Sequence, residues 1–328
     1  MKDRISFISV LRLFATFAVV LLHTSAGVLD KGIVPEESYV PFAFYKVMGR
    51  FAVPVFILIS GALFFNPQKE INYRILLSKY VRRIALALVV FALPMCLMER
   101  VFSDGMGGVI YAFYDWITGH SWTHIWYLYM LIGLYLLTPI VKPFLVGESK
   151  EAVAIALLVV GIICSVLPTI ELYGVDMGKW MKSYNPYILL YMMGFYLMYV
   201  DENRLGKKSY AFMGAFCAVV LMCDVFRGID NVPYYSLFVI LLAVSIFQLA
   251  KLYKWRSTLA DKLGPYCFGI YLVHPFFLNV AYKMMHINIA EYGLPWITIM
   301  LFAIVIFALS LVLTYVLRLI PVLNKYVL

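Results

Sequence analysis

Long apolar segments recur along the whole chain, and short polar segments separate them. A helix that crosses the hydrocarbon core of a bilayer needs about 20 largely apolar residues. Ten segments are predicted on this basis to span a membrane: 5–29, 45–66, 79–100, 124–145, 152–172, 184–201, 209–226, 233–251, 264–284 and 292–320. The pattern therefore predicts an all-α, polytopic bundle of transmembrane helices in which residues 1–328 form one domain.

Composition supports a membrane protein and excludes several other classes. The residues AVILMFWYC make up 64% of the chain and charged residues 14%, whereas soluble chains are about half apolar and a quarter charged. No single core could bury this much apolar surface, so the surroundings of the chain are predicted to be lipid. The five cysteines are scattered without CxxC spacing, which favours small hydrophobic side chains over a disulfide or metal framework.

Membrane topology explains the net charge of +9. An even number of spans places both termini on one side. If that side is the cytoplasm, it collects eighteen of the 27 Lys and Arg residues and the opposite side eight, with Arg12 inside the membrane. This bias follows the positive-inside rule, so both termini are predicted to be cytoplasmic. The basic charge then requires no nucleic-acid partner.

The longest connection, residues 101–123, mixes aromatic residues with few charges. This composition indicates a re-entrant or interfacial segment over the outer mouth of the bundle. His120 and His124 have i, i+4 spacing, but the residues between them bring no acidic third ligand, so no metal site is predicted. No pair of carboxylates lies within a span to support a mechanism built on two acids.

The first span carries two ionisable residues, in the stretch LRLFATFAVVLLH that ends at His23. The eleven residues from Arg12 to His23 advance a helix by about 1100°, close to three full turns, so their side chains share a face ~16 Å apart. Thr16 lies on the same face. Ionisable residues inside a membrane face protein or water and indicate function. The alternative is a structural arginine that binds carbonyls and a core histidine satisfied by a neighbour.

The second and third spans hold further candidates. Arg50 is placed at the outer end of the second span, and Ser60 near its inner end, in RFAVPVFILISG. Both are candidate substrate-binding residues, as is His274 in the ninth span. Arg82 and Arg83, in KYVRRIAL, begin the third span at the cytoplasmic surface. Their positions suit the phosphates of a cytoplasmic ligand, and positive-inside anchoring is the alternative interpretation.

Two later segments complete the set. His274 precedes Pro275 within the ninth span, in YCFGIYLVHP, where a satisfied core histidine is an equal alternative. Trp126 and Tyr127 begin the fourth span and could stack against a sugar. The alternative for these two residues is an interfacial aromatic belt.

Five stretches of the chain, in order, resemble the acyltransferase 3 family of integral membrane proteins. The first stretch contains an arginine and a histidine separated by ten residues, and the last stretch contains the His-Pro pair. The matching stretches are LRLFATFAVVLLH, RFAVPVFILISGALFF, KYVRRIAL, HIWYLYMLIGLYLLTP and FGIYLVHP. Together they extend over the whole chain in the order that the family shows.

The resemblance implies an enzyme that moves an acyl group, usually acetyl, from cytoplasmic acyl-CoA (acetyl-CoA) to a hydroxyl of a carbohydrate or lipid-linked glycan. By motif, His23 is the catalytic histidine, Arg12 its partner, and Arg82 or Arg83 the arginine that helps to hold the donor. The family often has an acidic residue three positions before the arginine, and Ser9 takes that place here, so that pairing is absent. The chain resembles stand-alone members such as the O-acetyltransferase of enterobacterial common antigen, and a bacterial inner membrane is its expected location.

Several alternatives stay open at this point. His23 could act as a general base on the acceptor hydroxyl or carry the acyl group transiently. A transporter or flippase of a lipid-linked glycan or small acid explains the intramembrane charges equally well, although no matching broken helices occur in the two halves. A purely structural membrane protein leaves the stripe of Arg12 and His23 unexplained. The acceptor, the acyl length, the face of transfer and the oligomeric state are not specified.

Overall fold

The computed structural model describes residues 3–119, 124–175, 186–201 and 205–328, and every regular element within these ranges is helical. The helices are α1 (Asp3–Leu29), α2 (Glu36–Phe64), α3 (Tyr73–Val101), α4 (Gly108–Thr118), α5 (Trp126–Gly147), α6 (Lys150–Leu172), α7 (Tyr187–Val200), α8 (Gly206–Phe226), α9 (Leu237–Leu252), α10 (Thr258–Met284), α11 (Pro295–Arg318) and α12 (Pro321–Tyr326).

The predicted spans coincide with helices of the structure. Within the described ranges, eight helices are long and apolar enough to cross a membrane, and the shorter apolar helices α7 and α9 fall on two further predicted segments. The prediction of an all-α polytopic membrane protein is confirmed, while a single domain over 1–328 stays a prediction. His120 and four of the counted cations lie outside the described residues; those cations are Lys2, Lys179, Lys182 and Arg204.

The second helix begins earlier than its hydropathy predicts. It starts at Glu36 rather than at 45, so the prediction that Arg50 ends this span is wrong: Arg50 lies near the middle of the helix. The first turns contain two carboxylates and Pro41, which look like a loop in sequence. Acidic side chains are favourable at a helix N-terminus, and proline is tolerated in a first turn, so these residues start the helix instead of preceding it.

The third helix also begins early. Asn72 caps it, because its side chain accepts a hydrogen bond of 3.0 Å from the backbone N–H of Ile75. Arg82 and Arg83 therefore lie about two and a half turns into α3 rather than at its start. They begin a short α-helical stretch between two π-helical ones, Leu76–Val81 and Leu88–Ala92.

The residues separate into two compact units. The first contains Met1–Asn66 and Gly147–Val312, and the second contains Pro67–Val146 and Leu313–Leu328. In the first unit α1 packs antiparallel to α2, since Ser25 binds the carbonyl of Phe42 while Gly49 approaches Leu22. A cluster of fully buried side chains joins α1 and α2 to α10 and α11; it includes Val20, Phe42, Ile270 and Ile299.

In the second unit, most of the predicted outer loop is the helix α4. Arg100 of α3 donates to the Asp115 carboxylate at 2.6 Å, and Trp116 Nε1 donates to the Leu88 carbonyl at 3.1 Å. Tyr129 of α5 donates to the carbonyl of Trp116. These contacts attach α4 to α3 and α5, and its interfacial or re-entrant placement stays a prediction.

Two glycines allow α2 and α7 to cross with their backbones in contact. A Cβ atom on Gly61 would overlap the carbonyl oxygen of Tyr191, and one on Gly194 would overlap that of Leu58. Small residues permit such close approach between transmembrane helices. The crossing supports α2, which carries Arg50.

Gly61→Ala is expected to destabilise the protein by about 1–3 kcal/mol, because the helix backbone that the methyl group meets cannot move aside as a flexible side chain can. Gly133→Ala in α5 is the matched control, since nothing lies within 4 Å of its added Cβ atom. The control is expected to be neutral or slightly stabilising. Thermal unfolding of both variants in detergent measures the difference, and an unchanged melting temperature for Gly61→Ala would contradict the close crossing.

Candidate active site

The polar stripe of α1 faces α10. The ring centroids of His23 and His274 are 5.4 Å apart. Seven residues earlier on each helix, Thr16 lies close enough to Cys267 to interact with its thiol, on which the charge of Arg12 also acts. Because the two contacts have the same spacing on both helices, α1 and α10 run side by side in the same direction. The stripe is therefore turned towards protein rather than lipid.

His274 and Pro275 form a local unit within α10. In a regular helix the N–H of residue 275 would bond to the carbonyl of Tyr271, but proline has no N–H. The His274 Nδ1 atom lies 2.8 Å from this carbonyl oxygen and 3.2 Å from that of Ile270. Since a carbonyl only accepts hydrogen bonds, Nδ1 carries the proton, and Nε2 carries the lone pair in the neutral ring. The His-Pro sequence thus fixes the tautomer of a fully buried imidazole beside His23.

Backbone contacts hold the segment that carries His23. The hydroxyl of Tyr282 in α10 donates to the Thr24 carbonyl at 2.8 Å, and Ser25 Oγ donates to the Phe42 carbonyl in α2 at 2.6 Å. Thr24 and Ser25 are fully buried, whereas His23 keeps part of its surface exposed. The backbone on both sides of His23 is therefore held in place by neighbouring helices, as a positioned reactive group requires.

Ion pairs tie the C-terminal end of α1 to α2. Lys46, only 2% exposed, binds Asp30 at 2.5 Å and Asp230 at 3.0 Å. The charge of Asp30 acts on His23. Lys46 is one of the eight cations that the predicted topology places on the outer side, and neither aspartate is predicted from the sequence as its partner. No local pattern reveals these pairs, because Lys46 and Asp230 are 184 residues apart.

Arg50 adds a second cation near His23. Its charge acts on His23 and on Tyr187. The Arg50 Nη2 atom donates to the Asn231 side chain at 3.2 Å, and the guanidinium lies 5.0 Å from the ring centre of Tyr234. The structure therefore brings together His23, His274 and Arg50 from three helices, and adds two tyrosines and an asparagine that the sequence analysis did not select.

Ser60 does not belong to this group. It lies ten residues after Arg50 on the same helix, about 15 Å along the axis, and donates to the carbonyl of Phe56 at 2.9 Å. This is the local bond that a serine inside a helix commonly makes to its own turn. A role for Ser60 in substrate binding stays a prediction.

The remaining candidates lie in the second unit. Arg83 Nε donates to the carbonyl of Val327 at 3.0 Å, and another Arg83 nitrogen donates to the carbonyl of Leu328. Arg82 is exposed and lies over the ring of Tyr326 at 5.3 Å. Both arginines therefore contact the last residues of the chain. Trp126 and Tyr127 begin α5 and meet edge to face, with ring centroids 6.3 Å apart.

The residues around His23 can transfer protons and stabilise negative charge. The imidazole of His23, a second imidazole of fixed tautomer and a guanidinium provide these two capacities. Within the described ranges, no group of three His, Cys, Asp or Glu side chains is placed to hold a metal ion.

Comparisons with known proteins agree with this chemistry. A family profile described as an acyltransferase domain (Acyl_transf_3) matches residues 5–318. Comparison with curated proteins gives no significant match, and comparison with solved structures gives none either. Since the matched range holds every candidate residue described above, the chain belongs to the acyltransferase 3 family of multi-pass membrane acyltransferases.

Proposed function

We propose that the protein is an O-acyltransferase that moves an acyl group, acetyl in the first instance, from cytoplasmic acyl-CoA to a hydroxyl of a cell-surface polysaccharide or lipid-linked glycan. The observation that carries this proposal is the pair of His23 and His274 inside a transmembrane bundle of an acyltransferase family. The positive-inside bias supports the proposed placement of both termini in the cytoplasm. The proposed location, a bacterial inner membrane, follows from the family resemblance.

In the proposed reaction His23 removes the proton of the acceptor hydroxyl. The oxygen then attacks the thioester carbon, and the C–S bond breaks as the new ester forms. The CoA thiolate leaves and receives the proton, so the histidine is restored. An acyl-histidine intermediate is the second route, in which the imidazole attacks the thioester first. Arg12, on the same face of α1, is proposed to act as the partner of His23.

Arg82 and Arg83 are proposed to bind the phosphates of the donor. Guanidinium groups bind phosphate through several directed hydrogen bonds, and this pair is positioned on one helix of the second unit. Arg83 currently binds the carbonyls of Val327 and Leu328, so donor binding requires exchange of these bonds for bonds to phosphate. Trp126 and Tyr127 are proposed to stack against a sugar of the acceptor.

The test is to follow free thiol from acetyl-CoA with the purified protein in nanodiscs, with and without an extract of lipid-linked glycans. Acceptor-dependent thiol release, with equal transfer of labelled acetyl to an alkali-labile ester, is the expected result. Empty nanodiscs are the blank. A transporter or flippase releases no thiol, so absence of turnover with acetyl-, succinyl- and long-chain acyl-CoA would overturn the proposal in favour of transport.

A further inference from the structure

Arg50 is a cation within a transmembrane helix that lacks a carboxylate partner among the described residues. Its hydrogen-bond partner is the neutral amide of Asn231, and its ring contact is Tyr234. The Arg50 Nε atom is buried and has no hydrogen-bond partner in the part of the chain that the structure describes. Lys46, four residues earlier on α2, instead binds two aspartates. Arg50 is partly exposed and hydrogen-bonds to an exposed loop residue, so a ligand can reach its guanidinium while the buried Nε atom still lacks an acceptor.

The surroundings of Arg50 suit a sugar. Tyr187, Tyr234 and Tyr235 lie close enough to interact electrostatically with one another or with Arg50, and all three keep part of their surface exposed. Aromatic rings stack on the apolar faces of sugars, while phenol and amide groups exchange hydrogen bonds with hydroxyls. The charge of Arg50 also acts on His23, so the two side chains belong to one region of the first unit.

We infer that Arg50, Asn231 and Tyr234 form a subsite for an anionic group of the acceptor, the phosphate or carboxylate of a charged glycan. An anion there would accept from Nε and a terminal nitrogen together, the bidentate geometry that arginine favours. The subsite rests on the proposed function, since it holds the acceptor hydroxyl towards His23. It adds a substrate class: the acceptor is negatively charged near the hydroxyl that is acylated.

The first test does not depend on turnover. The melting temperature of the protein in nanodiscs of zwitterionic lipid is measured with glucose, glucose 1-phosphate and glucuronate at equal ionic strength. At least one charged sugar is expected to raise the melting temperature where glucose does not, because a ligand that binds only the folded state stabilises it. The larger of the two shifts identifies phosphate or carboxylate as the recognised group.

Variants show whether Arg50 is responsible. Arg50→Gln is expected to abolish the shift, and Asn231→Ala, an exposed loop position that leaves the cation in place, to reduce it. Arg227→Gln is the matched control, since Arg227 also lies over a tyrosine ring, that of Tyr173 at 5.5 Å. The control should keep the full shift. Equal responses to all three sugars, or a full shift in Arg50→Gln, would overturn the subsite.

A second test separates this inference from the proposed function. With a charged acceptor, Arg50→Gln is expected to raise KM at least tenfold while kcat changes less than threefold. A fall in kcat at unchanged KM would instead assign Arg50 to the transition state and reject the subsite. If the wild-type protein transfers no acyl group at all, the proposed function fails, while the melting-temperature test still decides whether Arg50 binds anions.

Discussion

His23→Asn is expected to lower acyl transfer by at least about 100-fold, the contribution of a general base to such reactions. Asparagine keeps a polar group on α1 but cannot take a proton from the acceptor hydroxyl or carry an acyl group. The backbone bonds of Thr24 and Ser25 to neighbouring helices do not involve the imidazole, so the fold should persist. Thiol release from acetyl-CoA in the presence of acceptor measures the loss.

The control for this prediction is His286→Asn. His286 is exposed and has a φ of 52°, a conformation that asparagine tolerates well. This variant should turn over at the wild-type rate. Binding of acetyl-CoA to His23→Asn should also be unchanged, because Arg82 and Arg83 are proposed to hold the donor. If His23→Asn retained full turnover, neither the general-base nor the acyl-histidine mechanism could hold.

A labelled donor distinguishes the two mechanisms. Without acceptor, an acyl-histidine route leaves label on the peptide that contains His23, whereas a general-base route leaves none. The same experiment on the His23→Asn variant is the control, because label carried by the His23 imidazole must be absent from the variant.

The stripe on α1 could be predicted from the sequence because it depends only on helical periodicity. Arg12, Thr16 and His23 share a face in any regular helix, and the ionisable side chains of Arg12 and His23 exclude lipid as the neighbour. The identity of that neighbour could not be predicted. That α10 faces the stripe depends on contacts between residues about 250 positions apart, which no local pattern encodes.

The surroundings of Arg50 show the same limit. Hydropathy places the start of α2 too late, because polar residues at the beginning of a helix resemble a loop. The sequence therefore predicts Arg50 at a helix end. In the structure Arg50 lies near the middle of α2 and contacts Asn231 and Tyr234, residues about 180 positions away that only the fold brings to it.

The His-Pro pair of α10 links local sequence to the site. Pro275 removes the backbone donor that Tyr271 needs, and His274 replaces it with Nδ1 at 2.8 Å. One side chain thus has two separable roles. Its Nδ1 atom completes the helix, and the rest of its ring lies against His23. A substitution that keeps one role and removes the other can tell them apart.

His274→Asn and His274→Leu separate these roles. The asparagine side chain carries an N–H at the position of Nδ1, so this variant should keep the Tyr271 bond and a melting temperature near wild type. Leucine leaves the Tyr271 carbonyl without its donor and is expected to destabilise the protein by about 1–3 kcal/mol.

The turnover of the two variants should fall together. Both lack Nε2 beside His23, so both are expected to lose at least about tenfold in turnover, which is less than a positioned catalytic group commonly contributes to the rate. Thermal unfolding and thiol release on the same samples give the two readouts. Full turnover in His274→Asn would mean that His274 only completes the helix, and that His23 works without a second imidazole.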